Sequence, residues 1–482
     1  MTALGNRTTL SIGKSRDGYH FEFDLFEVLL PCRSYEVEFS VADVGKVSII
    51  SEFLLRLIRA TDGISDRAAA SFFGFDEREM RFAFEEVVAL GYVSWRGGEL
   101  ALTSAGLELF QYDQAVPQIY EIEARSGRYG FDLLSFCPAK YSQLEGFEHG
   151  LHELHIRNVK KVANGTSEVR GAFKKWFHEL NHRPVKGKPG SVSLYAVDSV
   201  NAWRRFSSVL TVRLSANTLN ATHPEIAFSS LQSEVDMESR SEVIEAVHEY
   251  VEGLAVHPRP DDDDAYLQLN ELSCGFFSEF LRKRDGKLSP ERLLNDAAKR
   301  AGELRSDRPT VPIVGTLSTV GNGERLVRAL TLAMRVRSTA EPVGNEYGPE
   351  FGKACWLVPD IAWGQCRAIP ILLDQFDRIV GSDPEIEINS FERIAISNDA
   401  LPKHQQQLFN GCKRLNEGAG IPPTLEVLSL TNLVSAVLVH CPLRSQSGLP
   451  VALGFISFDC AINAKVEAFL DRELAPHTHT VA

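Results

Sequence analysis

Hydrophobic positions recur at helical spacing across residues 46–90 and then switch to alternation up to residue 103. Lys46–Ala60 reads as a helix that Asp62-Gly63 ends. Ser65 is placed as the N-cap of a short second helix, Ser65–Phe73, which Gly74 closes. A third helix covers Asp76–Leu90, with Met80, Ala83, Phe84, Val87 and Val88 on one apolar face. Tyr92–Trp95 and Glu99–Thr103 flank Arg96-Gly97-Gly98 as a hairpin. Upstream, residues 1–18 read as a polar lead-in and Phe21–Val41 as one or two strands.

Beyond Gln114 the pattern weakens. Glu145–Val162 and Val169–His182 read as helices, the second broken at Pro184, and Ser191–Val197 and Val209–Leu214 as strands. Ser241–Val256 is helical with Val243, Val247 and Val251 spaced along it, and Pro258–Asp264 is a surface loop. Ser289-Pro290-Glu291 opens another helix with Pro at its first position. After a boundary at Ser306–Pro309, Val311–Val320 is a strand, Gly321-Asn322-Gly323 a tight turn and Glu324–Ser338 a helix. Cys355–Val358 and Ala368–Leu373 read as strands. The chain closes with Phe391–Ser397 (strand), Pro402–Asn416 (helix), Thr424–Leu430, Val434–Cys441 and Pro450–Phe458 (strands), and Ala461–Leu474 (helix). The predicted fold class is α+β multidomain: lead-in and strands over 1–40, a helical module over 41–112, an α-rich middle over 113–309, a C-terminal α/β domain over 310–474 and a tail over 475–482.

Two parts of this order resemble known families. Three helices and a hairpin over 45–110 resemble a winged helix-turn-helix, which implies contact with DNA or with a partner protein through the third helix. There Asp76, Glu77, Glu79, Glu85 and Glu86 outweigh Arg78 and Arg81, a balance that phosphates repel and a protein partner tolerates. Residues 391–474 resemble one half of a phospholipase-D-like phosphodiesterase. In that family a His, a Lys two residues on and an Asp seven on precede Gly-Ser-x-Asn. The His attacks phosphorus, the Lys neutralises phosphate oxygens, and the Asn and Ser position them. Here His440 is followed by Pro442 and Ser447 where Lys and Asp belong, and then by Gly454-Phe455-Ile456-Ser457. The resemblance therefore implies a retained fold with the chemistry lost, leaving His440 and Glu467 as the catalytic candidates.

Composition narrows the class. With 482 residues, 44% hydrophobic, the chain can bury two to four cores, and a net charge of −13 argues against a protein that coats nucleic acid over its whole surface. Eight scattered cysteines with no C-x-x-C pair read as reduced thiols rather than a disulfide framework. There is no signal-peptide core, and no apolar run approaches the ~20 residues a membrane helix needs. The expectation is a cytoplasmic protein without a membrane partner.

Several constellations carry chemistry. His178-Glu179-Leu180-Asn181-His182 is an H-E-x-x-H string, in which His178 and His182 at i and i+4 can bind zinc while Glu179 activates water. Lysines crowd it, Pro184 follows at once and no third ligand is spaced for it. His149, His152 and His155 recur every three residues and drift around a helix instead of stacking. His257-Pro258-Arg259 with Asp264 spaces like a second phosphodiesterase half-site, but four consecutive aspartates follow Pro260. Gly321-Asn322-Gly323 is too short to be a phosphate loop. The dominant signal is electrostatic. Between His155 and Lys188, nine cations (Arg157, Lys160, Lys161, Arg170, Lys174, Lys175, Arg183, Lys186, Lys188) face two glutamates. Phe173, Trp176 and Phe177 interleave with them, either as stacking platforms for nucleic acid or as core.

These readings predict a non-catalytic nucleic-acid-binding adaptor, touching DNA through its backbone. Its other partners would be subunits of a prokaryotic multiprotein DNA-handling system of the anti-phage defence kind, and no cofactor is expected. The alternatives are a phosphodiesterase or nuclease centred on His440 and a zinc metallohydrolase using residues 178–182.

Overall fold

The computed structural model describes residues 18–44, 49–110, 117, 120–180, 192–220, 224–228, 238–300, 304–339, 352–382, 391–416, 420–443 and 447–480. The chain is a mixed α and β protein with several sheets, in two compact units. The smaller unit is Cys32–Lys140 with Asn158–Phe206; the larger is Met1–Pro31, Tyr141–Arg157 and Ser207–Ala482. Among the described residues no helix is long and apolar enough to cross a membrane.

In the smaller unit, the second half of β1 (His20–Val44) leads into α1 (Ile49–Thr61), α2 (Asp66–Phe73), α3 (Glu77–Ala89) and a hairpin of β2 (Val93–Arg96) and β3 (Glu99–Leu102). Local chemistry sets these ends. The Ser65 hydroxyl accepts from the Ala68 amide, Asp76 and Glu79 form a capping box, and Gly74 closes α2 at φ +69°. Met80, Ala83, Phe84 and Val87 are buried as the periodicity predicts, whereas Val88 faces solvent. After α4 (Ser104–Glu108), β4 (Tyr120–Asp132) pairs antiparallel with the second half of β1. Then α5 (Val159–Ala163) and α6 (Gly165–Leu180) precede β5, a single strand over Val192–Asn217 where two short ones were expected. Glu145–Val162 is not one helix: only a 3-10 turn at Glu148–Gly150 and α5 are helical there. The middle read as α-rich thus also carries two long strands.

In the larger unit, β6 (Glu225–Phe228) pairs with the end of β5. There follow α7 (Ser241–Gly253), α8 (Asp262–Leu272), α9 (Pro290–Arg300), β7 (Thr310–Val314), α10 (Val320–Thr339), β8 (Lys353–Leu357), α11 (Ala368–Val380), β9 (Glu392–Ser397), α12 (Lys403–Gln406), β10 (Gly411–Leu415), β11 (Leu425–Leu430), β12 (Val434–Pro442), β13 (Pro450–Ser457), α13 (Cys460–Ala468) and β14 (Thr478–Thr480). The sheet runs β14-β10-β9-β8-β11-β12-β13-β7. Strands β8, β9 and β10 are parallel, and the other pairings are antiparallel. Followed across the sheet, these pairings point β7, β8 and β12 the same way, so their C-terminal ends share one edge. Every residue of β11 is buried, as expected of a central strand covered on both faces.

Four expectations for this unit are corrected. Ala368–Leu373 is the start of α11, not a strand: Ile369, Leu372, Leu373, Phe376 and Val380 are its buried face at helical spacing. Pro402–Asn416 holds only the four-residue α12, and Gly411–Leu415 joins the sheet beside β9. Gly321-Asn322-Gly323 lies in the first turn of α10, where the Asn322 amide donates to the carbonyls of Val314, Gly315 and Thr316. The aspartates after Pro260 open α8, with Asp262, Asp263 and Asp264 in its first turn, where the helix dipole favours them. Gly454 has a packing reason: a Cβ there would lie 1.9 Å from the Val437 carbonyl oxygen of the neighbouring strand.

Candidate functional site

The shared edge of β7, β8 and β12 holds a cluster of buried polar side chains. His440, near the end of β12, is 1% exposed, and its Nε2 lies 2.5 Å from Glu426 Oε2 on β11. Glu426 is also 1% exposed, and its Oε1 accepts from Trp356 Nε1 at 2.9 Å and Trp363 Nε1 at 3.0 Å. A buried carboxyl inside an apolar strand needs such partners, and here two indole donors and one imidazole nitrogen enclose it. With Nε2 turned to Glu426, Nδ1 is the ring nitrogen left for the small cavity that His440 lines with Glu426, Asp24, Tyr250, Thr316 and Ser318. That cavity encloses about 20 Å³, room for roughly one water molecule. Asp24 accepts from the Thr316 hydroxyl at 3.1 Å and the Leu25 amide at 2.9 Å. Burial pushes its carboxyl up despite these bonds, and burial likewise pushes the Tyr250 phenol up to about 12. Neither Lys nor Arg lines this cavity.

The other catalytic and metal candidates are dispersed. Glu467, on α13, does not line the cavity; its carboxylate accepts from the backbone amide of Asn432, which sits at φ +60° in the β11–β12 turn. His178 and Glu179 are exposed in the last turn of α6, and Asn181 and His182 lie outside the described residues. Among the described residues no group of three or more His, Cys, Asp or Glu could hold a metal ion. His149, His152 and His155 are exposed off any α-helix, and the His152 ring stacks on Tyr250. His257 does not line the His440 cavity, Arg259 pairs with Asp360 at 3.4 Å, and Asp264 belongs to α8.

The basic segment divides into a buried and an exposed side. Val169, Phe173, Trp176 and Phe177 are the buried face of α6, and Phe173 and Phe177 pack against Phe39 of β1. The aromatic residues are therefore core. Arg170, Lys174, Lys175 and His178 are on the exposed face. Not every cation there is available to a ligand. Arg157 is held by Glu245 and Glu249, Arg170 donates to the carbonyls of Val197 and Asp198, and Lys161 reaches the Leu134 carbonyl. Lys175 Nζ lies 4.9 Å from the Trp176 ring centre. Lys160 and Lys174 are exposed and form no ion pair among the described residues. Arg183, Lys186 and Lys188 lie outside the described residues.

The sequence reading missed Glu426, Asp24 and the two tryptophans. The available signal was Glu426 itself, a lone carboxylate in the otherwise uncharged strand Leu425–Leu430. Compared with known proteins, the chain matches no protein-family model, no curated protein and no solved structure.

Proposed function

We propose that this protein is a non-catalytic nucleic-acid-binding adaptor that grips a DNA backbone with the lysine face of α5 and α6. The observation that carries the reading is exposure: Lys160 is exposed on α5, and Lys174 and Lys175 are exposed on α6, whose apolar side of Val169, Phe173, Trp176 and Phe177 is buried. Concentrated cations in an otherwise acidic chain suit a polyanion contacted through its phosphates. The enclosed His440 supports the absence of catalysis. Its Nε2 is held by Glu426, its cavity admits about one water, and two carboxylates stand where a phosphodiester would need cations.

The 45–110 module is read as a winged helix by its element order, with α3 as a protein-binding surface. In support, Phe82 is 75% exposed on α3 beside Glu79 and Glu85, a surface better suited to a protein than to phosphates. The degenerate phospholipase-D-like half and the multisubunit DNA-handling system of the anti-phage kind extend this reading from the same resemblances. The adaptor reading is tested by fluorescence anisotropy on a labelled DNA duplex. The variant carrying Lys160→Glu, Lys174→Glu and Lys175→Glu loses binding while its melting temperature stays near wild type, since exposed charges contribute little to stability. Wild-type affinity in that variant overturns the reading.

A further inference from the structure

Resting on the reading of α3 as a protein-binding surface, we infer that the protein it binds is a second copy of this chain, with α3 packed antiparallel on its own image about a two-fold axis. Half of the exposed large hydrophobic side chains among the described residues fall between Ile49 and Leu107. The most exposed of them all is Phe82 of α3, at 75%. Removing such apolar surface from water is favourable, and a concentration of it on one module marks an association surface.

Helical spacing places Phe82 opposite the core. Met80, Ala83, Phe84 and Val87 are the buried side of α3. On the far side Phe82 shares an exposed stripe with Arg78, four residues before it, and Glu85, three residues after it. Along the helix this stripe runs positive, apolar, negative. A two-fold partner running antiparallel presents negative, apolar, positive against it, so the pattern is its own complement. With the two Phe82 rings at the axis, Arg78 lies about 6 Å along α3 on one side and Glu85 about 4.5 Å on the other. Each Arg78 then meets the Glu85 of the second copy within ~1.5 Å of axial register, and two symmetric ion pairs flank the aromatic contact.

The charges of this stripe are free for such pairing. Arg78 and Glu85 form no ion pair or side-chain hydrogen bond among the described residues. The neighbouring carboxylates are held within the module: Glu79 accepts from the Asp76 amide in the capping box, and Glu86 accepts from the Ser51 hydroxyl of α1. Arg81 stands about 100° round the helix from Phe82, on the flank of the stripe. The Ser51–Glu86 bond also sets α1 against α3. Ile49, Ile50 and Phe53 of α1 are exposed within two residues of it, which widens the apolar surface toward the area a stable dimer needs.

The experiment follows the mass of the full chain by sedimentation equilibrium across a concentration series. It compares the wild type with Phe82→Asp, Arg78→Glu, Glu85→Arg and the double variant Arg78→Glu with Glu85→Arg. Circular dichroism melting checks that each variant folds, as expected for exposed positions. The expected wild type passes from one chain to two as concentration rises, and Phe82→Asp stays monomeric. Each single reversal weakens the dimer about tenfold or more, and the double variant regains wild-type association. A wild type that stays monomeric throughout overturns the second-copy inference and leaves α3 to a different protein. A dimer that none of the variants changes overturns the inference and the reading of α3 together, because the chain then associates through another surface. Single reversals that weaken the dimer with no recovery in the double variant overturn the antiparallel pairing.

Discussion

Glu426→Ala would remove the partner of three buried polar groups at once, the indole N–H donors of Trp356 and Trp363 and the Nε2 of His440. An unsatisfied buried donor or acceptor costs about 1–3 kcal/mol, so three such groups place the loss at no less than roughly 3 kcal/mol before any cavity term. Against a typical stability of about 5–15 kcal/mol, that is a large fraction. Glu426→Gln separates hydrogen bonding from charge. Its carbonyl oxygen still serves the indoles, and its amide can donate to His440 Nε2 once the ring carries its proton on Nδ1. The expected cost is about 1 kcal/mol. Urea unfolding followed by tryptophan fluorescence reads both variants, because Trp356 and Trp363 belong to the network. An alanine variant within about 0.5 kcal/mol of wild type, the range of ordinary surface substitutions, would refute the claim that Glu426 and His440 are a structural pair.

Asp24→Asn should raise the melting temperature at neutral pH and change nothing at strongly acidic pH. Burial raises the Asp24 carboxyl above its ordinary 3.8, so the folded protein holds this proton more tightly than the unfolded chain does. Stability is therefore lost as pH rises from about 3.8 through the raised folded value, and the neutral amide escapes that loss. Melting curves of both proteins across pH check it; an equal gain at pH 3 and pH 7 would contradict it. Gly454→Ala should destabilise by about 2 kcal/mol or more, because the added Cβ meets the Val437 carbonyl at 1.9 Å and the strands must part. Chemical denaturation reads that loss, and a neutral variant would show that the strands yield easily.

Local signals in the sequence account for what was legible. Capping chemistry at Ser65 and Asp76, the αL glycine at residue 74 and the two-period hairpin are short-range, and α2, α3, β2 and β3 fall where those residues put them. Short apolar runs were ambiguous. Ala368–Leu373 reads equally as a strand or as one face of a helix, and only packing distinguishes the two. The fate of the cations was hidden for another reason: Arg157 is neutralised by glutamates some ninety residues away, a pairing that no local pattern contains. His440 was legible as a residue of interest, but its partner Glu426 was not, because pairing across the β11–β12 ladder joins them. The aromatic residues of α6 were correctly placed on a helix, and only the tertiary structure shows them as core.

The measurement that bears most directly on the account is the salt dependence of duplex binding by the wild-type chain and by the Lys160→Glu, Lys174→Glu, Lys175→Glu variant. Two phosphate contacts, through Lys160 and Lys174, predict a log–log slope of roughly −1.8 for the wild type, and a variant that no longer binds measurably. A slope near zero, or the same slope and affinity in the variant, would contradict the claim that this face holds a nucleic-acid backbone.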